Sequence, residues 1–175
     1  EPWLRGPIAG MPRTVMPAAH ALMQAAEDLT TASAGLTAAA LWMRPGGAAS
    51  VGFHLRHIAG SIDRLLTYAR DEALSDAQLA AIAGEQDAGA NPADAATLAS
   101  DAVTAIHRAI DAMREVPPER YFDARGVGRR RLPTNVLGLL VHTAEHTQRH
   151  VGAIIATAKV VRALGEGGRA GHAPG

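Results

Sequence analysis

The sequence predicts an all-α protein, a four-helix bundle with a short extra helix and a small hairpin before the last helix. Three observations carry this. Four long segments place apolar residues at the 3–4 spacing of an amphipathic helix. Strand-type alternation is scarce. Only two Trp, two Tyr and two Phe are present, so the core is built from Leu, Ile, Val and Ala, and small alanine faces let helices approach closely. A chain of 175 residues can bury one real core. We read a single domain over 1–164 and a flexible C-terminal tail over 165–175.

The first helix spans about Val15 to Leu36, with Pro17 in its first turn, where a missing N–H costs nothing. A loop containing Arg44-Pro-Gly-Gly follows. Ser50 is a good N-cap for the second long helix, Val51 to about Arg70, whose stripe runs Val51, Leu55, Ile58, Ile62, Leu65 and Ala69. A short helix fits Ser75 to Gly84. The third long helix starts near Asn91-Pro92 and ends by Glu115, with Val103, Ile106, Ile110 and Met113 in register and Pro117-Pro118 as its stop. Tyr121 to Pro133 centres on Gly-Val-Gly and reads as a tight hairpin. The last helix starts at Pro133 or Thr134, with Thr134 or Asn135 as its cap, and runs to about Leu164.

Charge and composition exclude several functions. The formal net charge is zero, so no global field draws the chain to nucleic acid or an anionic membrane. Cysteine is absent, which removes disulfides, thiolate ligands and a cysteine nucleophile. Apolar runs are too short to span a bilayer, and the N-terminal residues lack the apolar core of a secretory signal. A cytoplasmic location is the expectation. Basic charge is almost all arginine, with Lys159 the single lysine. No Walker loop, nucleophile elbow, dinucleotide fingerprint or paired-carboxylate pattern is present.

The chemistry concentrates in histidine. His142, His146 and His150 follow one another at i, i+4, i+8 on the last helix, and His54 and His57 lie on the second. An i, i+4 pair projects to nearly one side about 6 Å apart, so two imidazoles can reach one ion and a third can arrive from a facing helix. His142 and His150 are about 12 Å apart along the axis, too far to share an ion with His146 between them. The pair is therefore His142/His146 or His146/His150. The stripe of Val136, Leu140, Val151, Ile154 and Val161 passes nearest His150, which favours His146/His150. The same test on the second helix mildly favours His54 over His57. Without cysteine the ligands are imidazole, carboxylate or water, a donor set that suits zinc, nickel, iron or copper. Three protein ligands plus one open position is the pattern of a catalytic rather than a structural zinc site.

Two segments, Phe53-His-Leu-Arg-His57-Ile-Ala-Gly-Ser-Ile-Asp63 and Glu145-His-Thr-Gln-Arg-His150-Val-Gly152, resemble the motifs of the DinB/YfiT-like superfamily. The resemblance covers nearly the whole chain in order and spacing. It implies a four-helix bundle, often dimeric, with a three-histidine zinc or nickel site, and relatives that include thiol-dependent transferases and isomerases. Carried over by position, it implies His57, His146 and His150 as ligands, with His54 and His142 as alternates. Ala153 stands where the family often has glutamine. The expected function is thus a metal-dependent transferase, using a low-molecular-weight thiol, or a hydrolase of a small-molecule substrate. The alternative is a non-catalytic metal- or ligand-binding bundle with a stress-related accessory role. The family name implies no DNA polymerase activity.

Other residues give narrower expectations. Glu145 adjoins a ligand and is the candidate proton shuttle, although it points about 100° away from His146. Asp63 and Asp111 are further carboxylates near the histidine helices. Arg125, Arg129, Arg130 and Arg131 precede the metal helix and could contact an anionic substrate or thiol, the competing reading being a solvated loop. His107 flanks a stripe, and His20 and His172 carry no signal. Trp3 and Trp42 read as loop packing. Leu137, Val141 and Ile155 lie off the main stripe and need a cover, either the short helix or a second copy in a homodimer.

Overall fold

A computed structural model describes residues 1–90 and 92–170. Its elements are α1 (Met16–Ser33), α2 (Ala38–Trp42), α3 (Val51–Ala69), α4 (Asp76–Gly84), α5 (Ala95–Glu115), β1 (Ala124–Val127), β2 (Leu132–Asn135) and α6 (Val136–Ala170). The four long helices form the bundle. Helix α6 packs between α1 and α3 on one side, and α5 packs between the same two on the other. The all-α expectation holds, the small sheet being the predicted hairpin.

Local chemistry sets the helix starts. The Ser50 side chain accepts the Phe53 N–H at 3.1 Å and opens α3. Ser75 and Gln78 form a reciprocal capping box on α4. Asp94 caps α5 at Thr97 N with 2.7 Å, so α5 begins at Ala95 rather than near Pro92; Asn91 lies outside the described residues. Asn135 accepts the Gly138 N–H at 2.7 Å and caps α6.

Between the predicted first and second helices the structure differs from the sequence reading. Gly35 takes a φ of +70°, which ends α1, and Thr37 caps the separate short helix α2. Trp42 at the end of α2 lies against α3 over Gly52, where an added Cβ would sit 2.8 Å from the indole. The Arg56 guanidinium covers the same ring at 4.7 Å from its centroid. At the other end of the bundle, β1 and β2 pair antiparallel from Ala124 opposite Asn135 to Val127 opposite Leu132. Helix α6 continues six residues beyond the predicted end at Leu164, through Ala170. The part of the expected tail beyond it, His172 included, lies outside the described residues.

The core follows the predicted stripes. Leu55, Ile58 and Ile62 of α3, Ile106 and Met113 of α5, and Leu140 and Ile154 of α6 are fully buried with Leu22 and Leu29 of α1. Ala102, Ala105, Ala109 and Ala158 are also buried and let the helices close up. Leu137 and Ile155, expected to need a cover, are partly buried against this core; Val141 is exposed. Among the described residues no helix is long and apolar enough to cross a membrane.

Gly52→Ala tests the α2–α3 contact. Alanine improves helix propensity but drives Trp42 from its seat, so a net loss of about 1–3 kcal/mol is expected in urea denaturation. An unchanged midpoint would show that the indole is free to shift.

Candidate metal centre

The α3–α6 contact brings four histidines together. Both helices bury an apolar stripe, which fixes their rotation, and each histidine pair then falls along the edge of that stripe. His57, His146 and His150 are half-buried, and each offers one nitrogen such that the three nitrogens lie within 4.8 Å of one another. The Nε2 atoms of His57 and His146 are 2.9 Å apart. The His57 and His150 ring centroids, and those of His146 and His150, are 4.5 Å apart. Phe53 stacks on His57 with centroids 5.3 Å apart and planes 19° from parallel.

Two further side chains, Glu85 and His54, contact the rings of the cluster. His57 donates its Nδ1–H to Glu85 Oε2 at 2.7 Å. A carboxylate only accepts, so Nδ1 carries the proton, and in the neutral ring Nε2 is then the lone-pair nitrogen facing His146. His150 Nδ1 is 2.8 Å from His54 Nδ1 and shares a proton with it. His54 itself is buried. Glu85 is held on its other oxygen by Arg64 Nη1 at 2.7 Å.

Electrostatics favours the neutral form of His54, His146 and His150. Burial, reinforced by the neighbouring His57 and other imidazoles, pushes His146 down to about 4 and His150 down to about 3. Burial and then His57 also lower His54. Burial raises the Glu85 carboxyl, but hydrogen bonds from His57 and Arg64 outweigh it and hold the group below its usual range. Neutral imidazoles beside an ionised carboxylate are the protonation states that metal binding requires.

The donor set fits a zinc- or nickel-sized ion. Zn–N bonds of about 2.0–2.1 Å in a tetrahedron separate ligand nitrogens by about 3.3–3.4 Å, so His57 and His146 need open by only about half an ångström. All three rings are partly solvent-accessible, which leaves room for a further, non-protein ligand.

Residues 19–154 match the DinB superfamily. The chain belongs to that superfamily. No curated protein sequence matches it. The matched span contains both histidine pairs of this DinB-superfamily chain, together with Glu85 and the hairpin.

The remaining predicted residues lie elsewhere. His142 is exposed, one ring further along α6 with its centroid 5.3 Å from that of His146, and its Nδ1 is 3.1 Å from Glu145. Glu145 is exposed and paired with Arg149, which lowers its carboxyl more than His142 does. It makes no hydrogen bond to the three grouped histidines among the described residues. Asp63 accepts from Gln78, and Asp111 pairs with Arg114. Arg125 donates from Nε to Ala69 O at 2.8 Å, which staples the hairpin to the C-terminal end of α3. Ala69 is twelve residues past His57, about 18 Å along the helix. Arg129, Arg130 and Arg131 are exposed in the same hairpin, so this loop does not fold back over the histidines as an anion contact there would require.

Glu85, Arg64, Gly60 and Phe53 are the residues that sequence reasoning did not single out. Gly60 was the one available signal, a glycine inside a strong helix, where it costs about 1 kcal/mol relative to alanine.

A pH prediction follows from the depressed imidazoles. Each binds a proton less readily folded than unfolded, so each contributes stability that is complete above the unfolded value near 6.5 and is lost as pH falls through about 4 and about 3. The metal-free protein should lose urea resistance on acidification from pH 6.5 to 4. Replacing both His146 and His150 by alanine should flatten that decline; equal slopes in the two proteins would contradict it.

Proposed function

We propose that this DinB-superfamily chain is a metal-dependent enzyme that holds one zinc or nickel ion through His57, His146 and His150. Its substrate is a small molecule, and its reaction is either transfer involving a low-molecular-weight thiol or hydrolysis. One observation carries the reading: three imidazole nitrogens from two helices converge within 4.8 Å at a partly accessible place. Bound there, the ion would supply Lewis acidity toward a water or a thiol, the ligand types that complete a three-histidine set. The chain's own groups provide the rest. Burial favours the deprotonated form of His146 and His150, Phe53 stacks on one face of His57, and the helix backbones fix the ring positions.

One observation favours the non-catalytic alternative. His54 Nδ1 is 2.8 Å from His150 Nδ1, so a modest shift would offer a fourth imidazole and close the coordination sphere.

Protein purified without a histidine tag and loaded with zinc or nickel should carry about one ion per chain by elemental analysis. His57→Ala, His146→Ala and His150→Ala should each lose stoichiometric binding, and the triple variant all of it, whereas His142→Ala should keep it. A wild-type protein that cannot be loaded would end the reading. A screen of thiols and small electrophilic or hydrolysable substrates against the loaded protein then separates enzyme from binder.

We place a homodimer contact along α6, where Val141, Val160 and Leu164 are exposed. Light scattering should give twice the chain mass at micromolar concentration; a monomer throughout would contradict it.

A further inference from the structure

The carboxylate of Glu85 is a buried anion on a polar connecting segment, with its side chain only 7% exposed. A charge taken out of water persists only with close partners, and Glu85 has one on each oxygen. Oε1 accepts from Arg64 at 2.7 Å and Oε2 accepts from His57 at 2.7 Å. His57 and Arg64 are seven residues apart on α3, two turns along the same face. Gly60 lies between them, and a Cβ there would stand 2.6 Å from Glu85 Oε1 and 2.8 Å from Arg64 Nη1. The glycine that weakens the helix therefore leaves the space in which the carboxylate sits.

A purely structural role is the competing account. Helix α4 buries no residue, so the segment around it needs polar anchors. Those anchors exist without Glu85: Arg56 donates to the carbonyls of Gly84 at 3.0 Å, of Asp87 and of Ala88, and Gln78 donates to Asp63 and Thr67. What Glu85 adds is directed at a ring nitrogen.

We propose that Glu85 is the positioning residue for His57, taking its Nδ1–H so that the Nε2 lone pair faces His146 and His150, with Arg64 steering the carboxylate and Gly60 making room for it. The inference rests on the metal reading above. A carboxylate behind a ligating imidazole fixes its tautomer and makes it a better donor, and loss of such a partner costs about 10–100-fold in metal affinity.

Two measurements test it. In the metal-free full chain, long-range nitrogen–proton NMR of the histidine rings should show His57 as the Nδ1–H tautomer, and Glu85→Ala should convert it to a mixture. In competition with a zinc chelator, Glu85→Ala and Gly60→Ala should each bind zinc about 10–100-fold more weakly than wild type, with Glu85→Gln between wild type and Glu85→Ala because it keeps an acceptor. Gly60→Ala removes no polar group, so its loss arises only from displacing the carboxylate, and it carries the test if Glu85→Ala fails to fold. Glu27→Gln, on an exposed carboxylate of α1 paired with Arg5, should bind as wild type. Unchanged zinc affinity in both Glu85→Gln and Gly60→Ala, or a His57 tautomer indifferent to Glu85, overturns the proposal. A wild type that binds no zinc overturns the metal reading instead, and the tautomer still reports whether Glu85 holds the ring.

Discussion

The packing of α6 against α3 is the constraint on which the rest depends. Each helix buries one apolar stripe: Leu55, Ile58 and Ile62 on α3, and Val136, Leu140, Val151 and Ile154 on α6. Burial of those stripes is the dominant favourable term, and it sets the rotation of both helices to within a fraction of a turn. The histidines have no freedom after that. They fall on the rim of the contact, where His57, His146 and His150 remain partly accessible.

That arrangement answers an electrostatic problem. Several imidazoles this close would repel if protonated, and half-burial in an apolar seam shifts His146 and His150 toward their neutral forms. Glu85, the one buried carboxylate among the described residues, sits beside the cluster and bonds to the His57 ring. Polar contacts rather than apolar burial tie the α4 segment to the bundle, so this device is carried on the part of the fold with the least hydrophobic support.

Much of this was legible in the chain because it is periodic. Every residue of the α6 stripe read from the sequence is buried, and its angular relation to His146 and His150 picks out the two α6 residues that the structure groups with His57. On α3 the same argument inclined to His54, and the resemblance implied His57. Both prove to be at the centre: His54 is the more buried, as its angle indicates, and engages His150, while His57 points its Nε2 at His146. Angle alone reports burial and cannot report which nitrogen faces a partner across the interface. Glu85 was illegible because it is 28 residues from His57 on a connecting segment, where no period operates. The arginines precede α6 in sequence, while in the structure Arg125 is bonded to Ala69 and Arg131 to Asp71, at the C-terminal end of α3. Leu137 and Ile155, off the main stripe, are partly buried because α6 packs against both α1 and α3, which a single stripe does not describe.

The central claim is that three imidazoles, and only three, form a site with one position left open. X-ray absorption at the zinc edge of the zinc-loaded protein tests it most directly. The account predicts three imidazole nitrogens and one further light donor at about 2.0–2.1 Å. A shell of four imidazoles, with His54 drawn in, or a shell without imidazole scattering, would contradict it.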